Sequence, residues 1–115
     1  MKAFPIIFII ILIIPIACFR ENNAESVLMK VSEQMDIHPD SAYHSLKKMD
    51  VKSLSHADNA LYSLLLVQAM DKNDIPLESD SLILVAVDYF KNVSDSFRKA
   101  QTYYYWVDIM KHRIV

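Results

Sequence analysis

From Ala24 onward, apolar residues recur at intervals of three and four with polar residues between them. That spacing gathers them on one side of a 3.6-residue helix. Val27, Leu28, Val31 and Met35 make a first stripe over residues 24–35, which stops ahead of Pro39. Asp40 or Ser41 then suits the N-cap of a second helix reaching about Met49, with Ala42, Leu46 and Met49 at i, i+4 and i+7. A short side-chain oxygen at that point accepts a hydrogen bond from an otherwise orphaned N–H. Ser55 with Asp58 three residues later is a variant capping box. It opens the clearest helix, striped with Ala57, Ala60, Leu61, Leu64, Leu65 and Gln68 and running to about Met70. Residues 73–79, with Pro76, form a loop, and Asp80 or Ser81 caps the next segment. Residues 81–90 stay open between two states, because the apolar run from Leu82 to Val87 suits a buried strand as well as a helix. Asp95 caps a last helix from about Ser96 to Lys111, carrying Phe97, Ala100, Tyr104, Val107 and Met110.

Comparing the chain with itself at an offset of 40 superposes Asp40 on Asp80, Ser41 on Ser81, Ala60 on Ala100, Val67 on Val107 and Met70 on Met110. Ser55 then meets Asp95, both suited to capping, and Leu64 meets Tyr104. Matching caps and stripes suggest two copies of a helix–turn–helix hairpin, about 40–73 and 80–112, as in helical repeat arrays. The comparison favours helix for 81–90. The expected fold is all-α, with about five helices arranged as stacked antiparallel hairpins. Glycine is absent, against an average of about 7%, which also disfavours a sheet with many tight turns.

Residues 1–17, M-K-A-F-P-I-I-F-I-I-I-L-I-I-P-I-A, break the pattern. The 14 residues from Phe4 to Ala17 carry no charge. As a helix rising about 1.5 Å per residue they would reach roughly 21 Å, short of the ~30 Å hydrocarbon core. One lysine, an apolar run and a small residue are the layout of a secretory signal peptide. The only cysteine, Cys18, comes directly after it. Ile16-Ala17-Cys18 resembles the lipobox of bacterial lipoproteins, with Pro15 where leucine is usual. The resemblance implies cleavage before Cys18 and acylation of its sulfur and amine, palmitate included. It also implies export and anchoring to a bacterial cell membrane on the periplasmic or surface side. Each buried acyl methylene contributes about 0.8 kcal/mol, so two or three chains hold a domain permanently. A lone cysteine has no intrachain disulfide partner, and lipidation gives it a use. The competing expectation is a retained anchor, or a leader cut elsewhere with Cys18 as a free thiol. Residues 18–23 are the expected tether, and 24–115 the helical-repeat domain.

Five segments resemble the N-terminal part of bacterial tetratricopeptide-repeat lipoproteins. They are H-P-D-S-A at 38–42, A-D-N-A-L-Y-S-L-L-L-V-Q-A-M-D-K-N at 57–73, S-D-S-L-I at 79–83, A-V-D-Y-F at 86–90 and R-K-A-Q-T-Y-Y-Y at 98–105. The resemblance covers 24–105 and agrees with the leader. It implies a short tetratricopeptide-like array wound as a right-handed superhelix and acting as a protein-interaction scaffold. Such relatives run on into further repeats, some to a transmembrane helix and a cytoplasmic signalling region. Here Trp106-Val107-Asp108 come next and Val115 is last, so a truncated, non-functional remnant is the alternative expectation.

Charge and composition narrow the chemistry. Twelve basic and fourteen acidic side chains give −2, and with no Lys/Arg run no nucleic acid is expected as partner. Without glycine there is no phosphate loop, dinucleotide fingerprint or nucleophile elbow. His38, His44, His56 and His112 never pair at i, i+4, and no second cysteine completes a metal set, so a solvated surface is expected for them. Asp71, Asn73 and Asp74 begin like a calcium loop, yet Pro76 stands where its glycine belongs and Leu82 where its bidentate glutamate belongs. No serine, histidine and carboxylate declare a triad. Asn92-Val93-Ser94 matches a glycosylation acceptor, accidental in a bacterial lipoprotein. No enzyme activity, cofactor or metal is expected.

Tyr103, Tyr104, Tyr105 and Trp106 are consecutive. On a helix they spread about 100° apart, so they cannot share one core. In one arrangement Tyr104 and Tyr103 pack while the others form surface. In the other, Tyr103, Tyr105 and Trp106 line an exposed end that accepts a helix or peptide, since aromatic anchors dominate interfaces. The expected function is a noncatalytic, membrane-tethered scaffold that binds another protein or itself through an open hairpin face. A lipid or small-molecule carrier with a cavity lined by Leu64, Leu65, Val85 and Tyr104 is a further alternative.

Overall fold

A computed structural model describes residues 23–114. The leader 1–17, Cys18 and the tether apart from Asn23 lie outside the described residues, and with them the lipidation site. The described chain is all-α. It has five α-helices, α1 (Asn23–Gln34), α2 (Pro39–Lys47), α3 (His56–Lys72), α4 (Ser81–Phe90) and α5 (Ser96–Ile114), with one 3-10 turn at Val51–Ser53. No helix among the described residues is long and apolar enough to cross a membrane.

Side-chain capping explains two of the helix starts. Ser55 Oγ accepts the Asp58 N–H at 3.1 Å at the head of α3, and Asp95 Oδ1 accepts the Arg98 N–H at 3.1 Å at the head of α5. At α4, Asp80 holds the N-cap position while Ser79 Oγ accepts the Ser81 N–H at 3.3 Å. The second helix starts before the predicted Asp40 or Ser41 cap: His38 is the N-cap and Pro39 occupies the first turn. Proline fits there because its φ is already helical and the N–H it lacks would have had no partner. That helix ends at Lys47, short of the predicted Met49. Residues 81–90 are helix and not strand, since Ile83, Ala86, Val87 and Phe90 are buried together at helical spacing.

Neighbouring helices run antiparallel. Asn73 Nδ2, just past the end of α3, donates to the Pro39 carbonyl at the start of α2 at 2.9 Å. His56 at the start of α3 meets Tyr89 near the end of α4 edge-on, with ring centroids 5.1 Å apart. The core falls into two clusters. Leu28, Val31 and Met35 of α1, Ala42 and Leu46 of α2, and Tyr62, Leu65, Leu66 and Ala69 of α3 form one. Ala60, Leu64 and Val67 of α3, the buried residues of α4, and Tyr105 of α5 form the other.

The central helix α3 belongs to both clusters. At about 100° per residue, Tyr62, Leu65 and Ala69 lie roughly opposite Ala60, Leu64 and Val67. The single stripe predicted for this helix therefore runs along a seam: adjacent Leu64 and Leu65, both fully buried, serve different cores. Ala57, counted in that stripe, is exposed. A helix apolar on all sides is one covered on all sides, and α3 has α1 and α2 on one flank and α4 and α5 on the other.

Candidate functional site

The last helix, α5, repeats the two-faced construction of α3. Its inner face is Thr102 and Tyr105, both buried, with half-buried Trp106 and Ile109. Thr102 Oγ1 satisfies itself by donating to the Arg98 carbonyl at 2.7 Å. The opposite face carries Phe97, Ala100, Tyr103, Tyr104, Val107 and Met110, all exposed. The stripe predicted for this helix exists, but it faces solvent instead of the core.

Register explains the relationship. At the offset of 40, inner-face Tyr62, Leu65 and Ala69 of α3 correspond to Thr102, Tyr105 and Ile109 of α5. Ala60, Leu64 and Val67, covered by α4 and Tyr105, correspond to Ala100, Tyr104 and Val107, which are uncovered. Together with Tyr103 and Lys111, these three line a shallow groove along α5.

Two expectations for the aromatic run need correction. Tyr105 does not line an exposed end: it is 8% exposed and belongs to the second core cluster. Trp106 is half-buried against the same cluster. Tyr104, expected in one arrangement to pack, is 65% exposed and meets the Tyr105 ring only edge-on, centroids 5.1 Å apart. Tyr103 is exposed and tilted against Trp106. One residue of helix turns a side chain by about 100°, and α3 selects Tyr105 as the inward one. Leu64, Leu65, Val85 and Tyr104 do not line one cavity, because Leu64 and Leu65 are fully buried in separate cores and Tyr104 is exposed.

A second feature was invisible in the sequence. A cleft of about 350 Å³ lies between the C-terminal end of α3, the α3–α4 loop and α5. Val67, Ile75 and Ile109 contribute its apolar surface, while Asp71, Glu78 and Asp108 contribute carboxylates. A helix stop of the Schellman type shapes the loop wall. The Ile75 N–H donates to the Met70 carbonyl at 2.8 Å and the Asp74 N–H to the Asp71 carbonyl at 3.2 Å, with Asp74 left-handed at φ 56°. Glycine usually takes that position. Tyr105 also lines the cleft, and its hydroxyl is pushed up to about 12 by burial first and by Asp71 next, with Tyr104, Asp36 and Asp108 adding to it. It therefore remains a phenol near neutral pH. His38, His44, His56 and His112 are all exposed, and His112 Nδ1 donates to the Asp108 carbonyl at 2.8 Å. Among the described residues no three His, Cys, Asp or Glu side chains gather as metal ligands.

Comparison with protein-family models, curated proteins and solved structures finds no match to this chain.

Proposed function

We propose that this protein is a noncatalytic helical-repeat scaffold, tethered to a bacterial membrane through lipid on Cys18, that receives a helix of another protein on the outer face of α5. The observation that carries this reading is the register between α3 and α5. The face Ala60–Leu64–Val67 is covered within the chain by α4, whose stripe is Ile83, Ala86, Val87 and Phe90. The corresponding face Ala100–Tyr104–Val107 has the same spacing and no cover among the described residues. Its complement is a helix of the α4 kind, with small and branched apolar residues at i, i+3, i+4 and i+7. Contiguous apolar surface of this sort marks interaction sites on soluble domains. The anchor rests on the lipobox-like junction at Cys18, and the repeat character on the internal register.

The test uses a fluorescent peptide of residues 80–93, the chain's own α4 segment, as a probe for helices with that stripe. Saturable binding to the full-length protein, weakened at least tenfold by Val107→Asp, supports the reading. Absence of binding, or binding indifferent to Val107→Asp, overturns it. Mass spectrometry of the mature N-terminus tests the tether separately: an unmodified Cys18 thiol in the exporting cell refutes that part.

A further inference from the structure

We propose that the cleft between the end of α3, the α3–α4 loop and α5 binds a small organic ammonium. Its hydrocarbon would lie on Val67, Ile75 and Ile109, and its nitrogen would be held by Asp71, Glu78 and the Tyr105 hydroxyl oxygen.

Three observations converge on this chemistry. Tyr105 is more than nine-tenths buried, yet it makes none of the hydrogen bonds within the described chain. Buried phenols normally find a partner. No fully buried polar side-chain atom of the described residues lacks one, so this hydroxyl meets solvent, and the cleft is a space that Tyr105 lines. Next, Asp71, Glu78 and Asp108 line the cleft with neither lysine nor arginine beside them. The one lining side chain able to carry positive charge is His112, whose Nδ1 lies 3.8 Å from Asp108 Oδ1, which leaves Asp71 and Glu78 for a ligand. Lys72, beside Asp71 in sequence, is paired instead with Asp36 at 3.0 Å. A cation entering the cleft meets carboxylates that no lysine or arginine in its walls neutralises. Finally, no three acidic or histidine side chains of the described residues gather as metal ligands do, and the apolar floor offers a metal ion nothing. An ammonium on a hydrocarbon body uses both halves of the site. At about 350 Å³ the cleft sits at the small end of the ligand-pocket range of about 300–1,000 Å³, which suits one ring or a short chain.

A free amine and the lysine side chain of a partner polypeptide share this chemistry, so both are probed. Full-length protein in detergent micelles is titrated with phenethylamine, with Nα-acetyl-lysine amide and with 3-phenylpropionate, monitoring NMR signals of Tyr105 and Ile109. Saturable shifts with either amine but not with the carboxylate of like shape support the site, and the tighter amine identifies the source. Asp71→Asn with Glu78→Gln, both at exposed positions, should weaken binding about tenfold or more, and Tyr105→Phe about threefold, as expected for lost bonds to a charged group. Equal response to phenethylamine and 3-phenylpropionate, no saturable shift, or unchanged affinity in the Asp71→Asn, Glu78→Gln protein overturns it. Neither of those two residues lies on α5, so this test and the peptide test on Val107 fail independently.

Discussion

Arg98 Nη2 donates to Ser32 Oγ at 3.0 Å, tying the first turn of α5 to the end of α1 across 66 residues of sequence. The same guanidinium donates through Nη1 to Gln101 Oε1 at 3.0 Å. Burial lowers its pKa while Asp95 opposes the shift. This bond joins the first and last helices directly, whereas the two cores meet through α3 and through Leu82 of α4, which packs against both. Arg98→Met should cost about 1–2 kcal/mol and Ser32→Ala about 1 kcal/mol, with a coupling of roughly 0.5–1 kcal/mol in the double-mutant cycle. Urea unfolding of the four proteins measures it, and strictly additive costs would refute the tie.

Asp74 holds the left-handed position that ends α3, in a chain that has no glycine anywhere. A side chain there costs energy that glycine avoids, partly offset by the freedom glycine adds to the unfolded chain. Asp74→Gly should stabilise by about 0.5–1 kcal/mol, and Asp74→Val should destabilise by more than about 1 kcal/mol. Thermal melts decide between this and a neutral position.

Val67 and Val107 occupy the same register in their helices but differ in cover: one is 1% exposed, the other 49%. Val67→Asp buries an unpaired carboxylate and should unfold the domain or cost more than about 3 kcal/mol, whereas Val107→Asp should stay within about 0.5 kcal/mol. Circular dichroism with denaturant melts gives both numbers. A large loss at Val107 in the isolated protein would mean that its face is already covered.

The phenol of Tyr105, raised from 10.0 to about 12 in the fold, keeps a proton that the unfolded chain releases sooner. Its contribution to stability is complete below pH 10 and is lost as pH climbs toward about 12. Burial raises Tyr62 as well, adding a second share. Unfolding measured at stepped alkaline pH, beside phenolate absorbance, should show a shallower decline for Tyr105→Phe. A decline as steep as the parent's would remove Tyr105 from the account.

Most helix positions and the caps at Ser55 and Asp95 were legible from neighbouring residues alone, because capping and the 3.6-residue recurrence of apolar side chains are local physics. So was the 40-residue register that pairs Val67 with Val107. The start of α2 at His38 and the state of 81–90 were not settled by local pattern. Which way each stripe faces was not local. Leu64 and Leu65 part company because helices pack against both flanks of α3. Tyr104 turns outward because α3 meets α5 through Tyr105. The cleft joins residues 71, 78 and 108, and the Arg98–Ser32 bond spans most of the domain. No sequence interval encodes such neighbours, since only the packing of α1 and α5 around α3 brings them within reach.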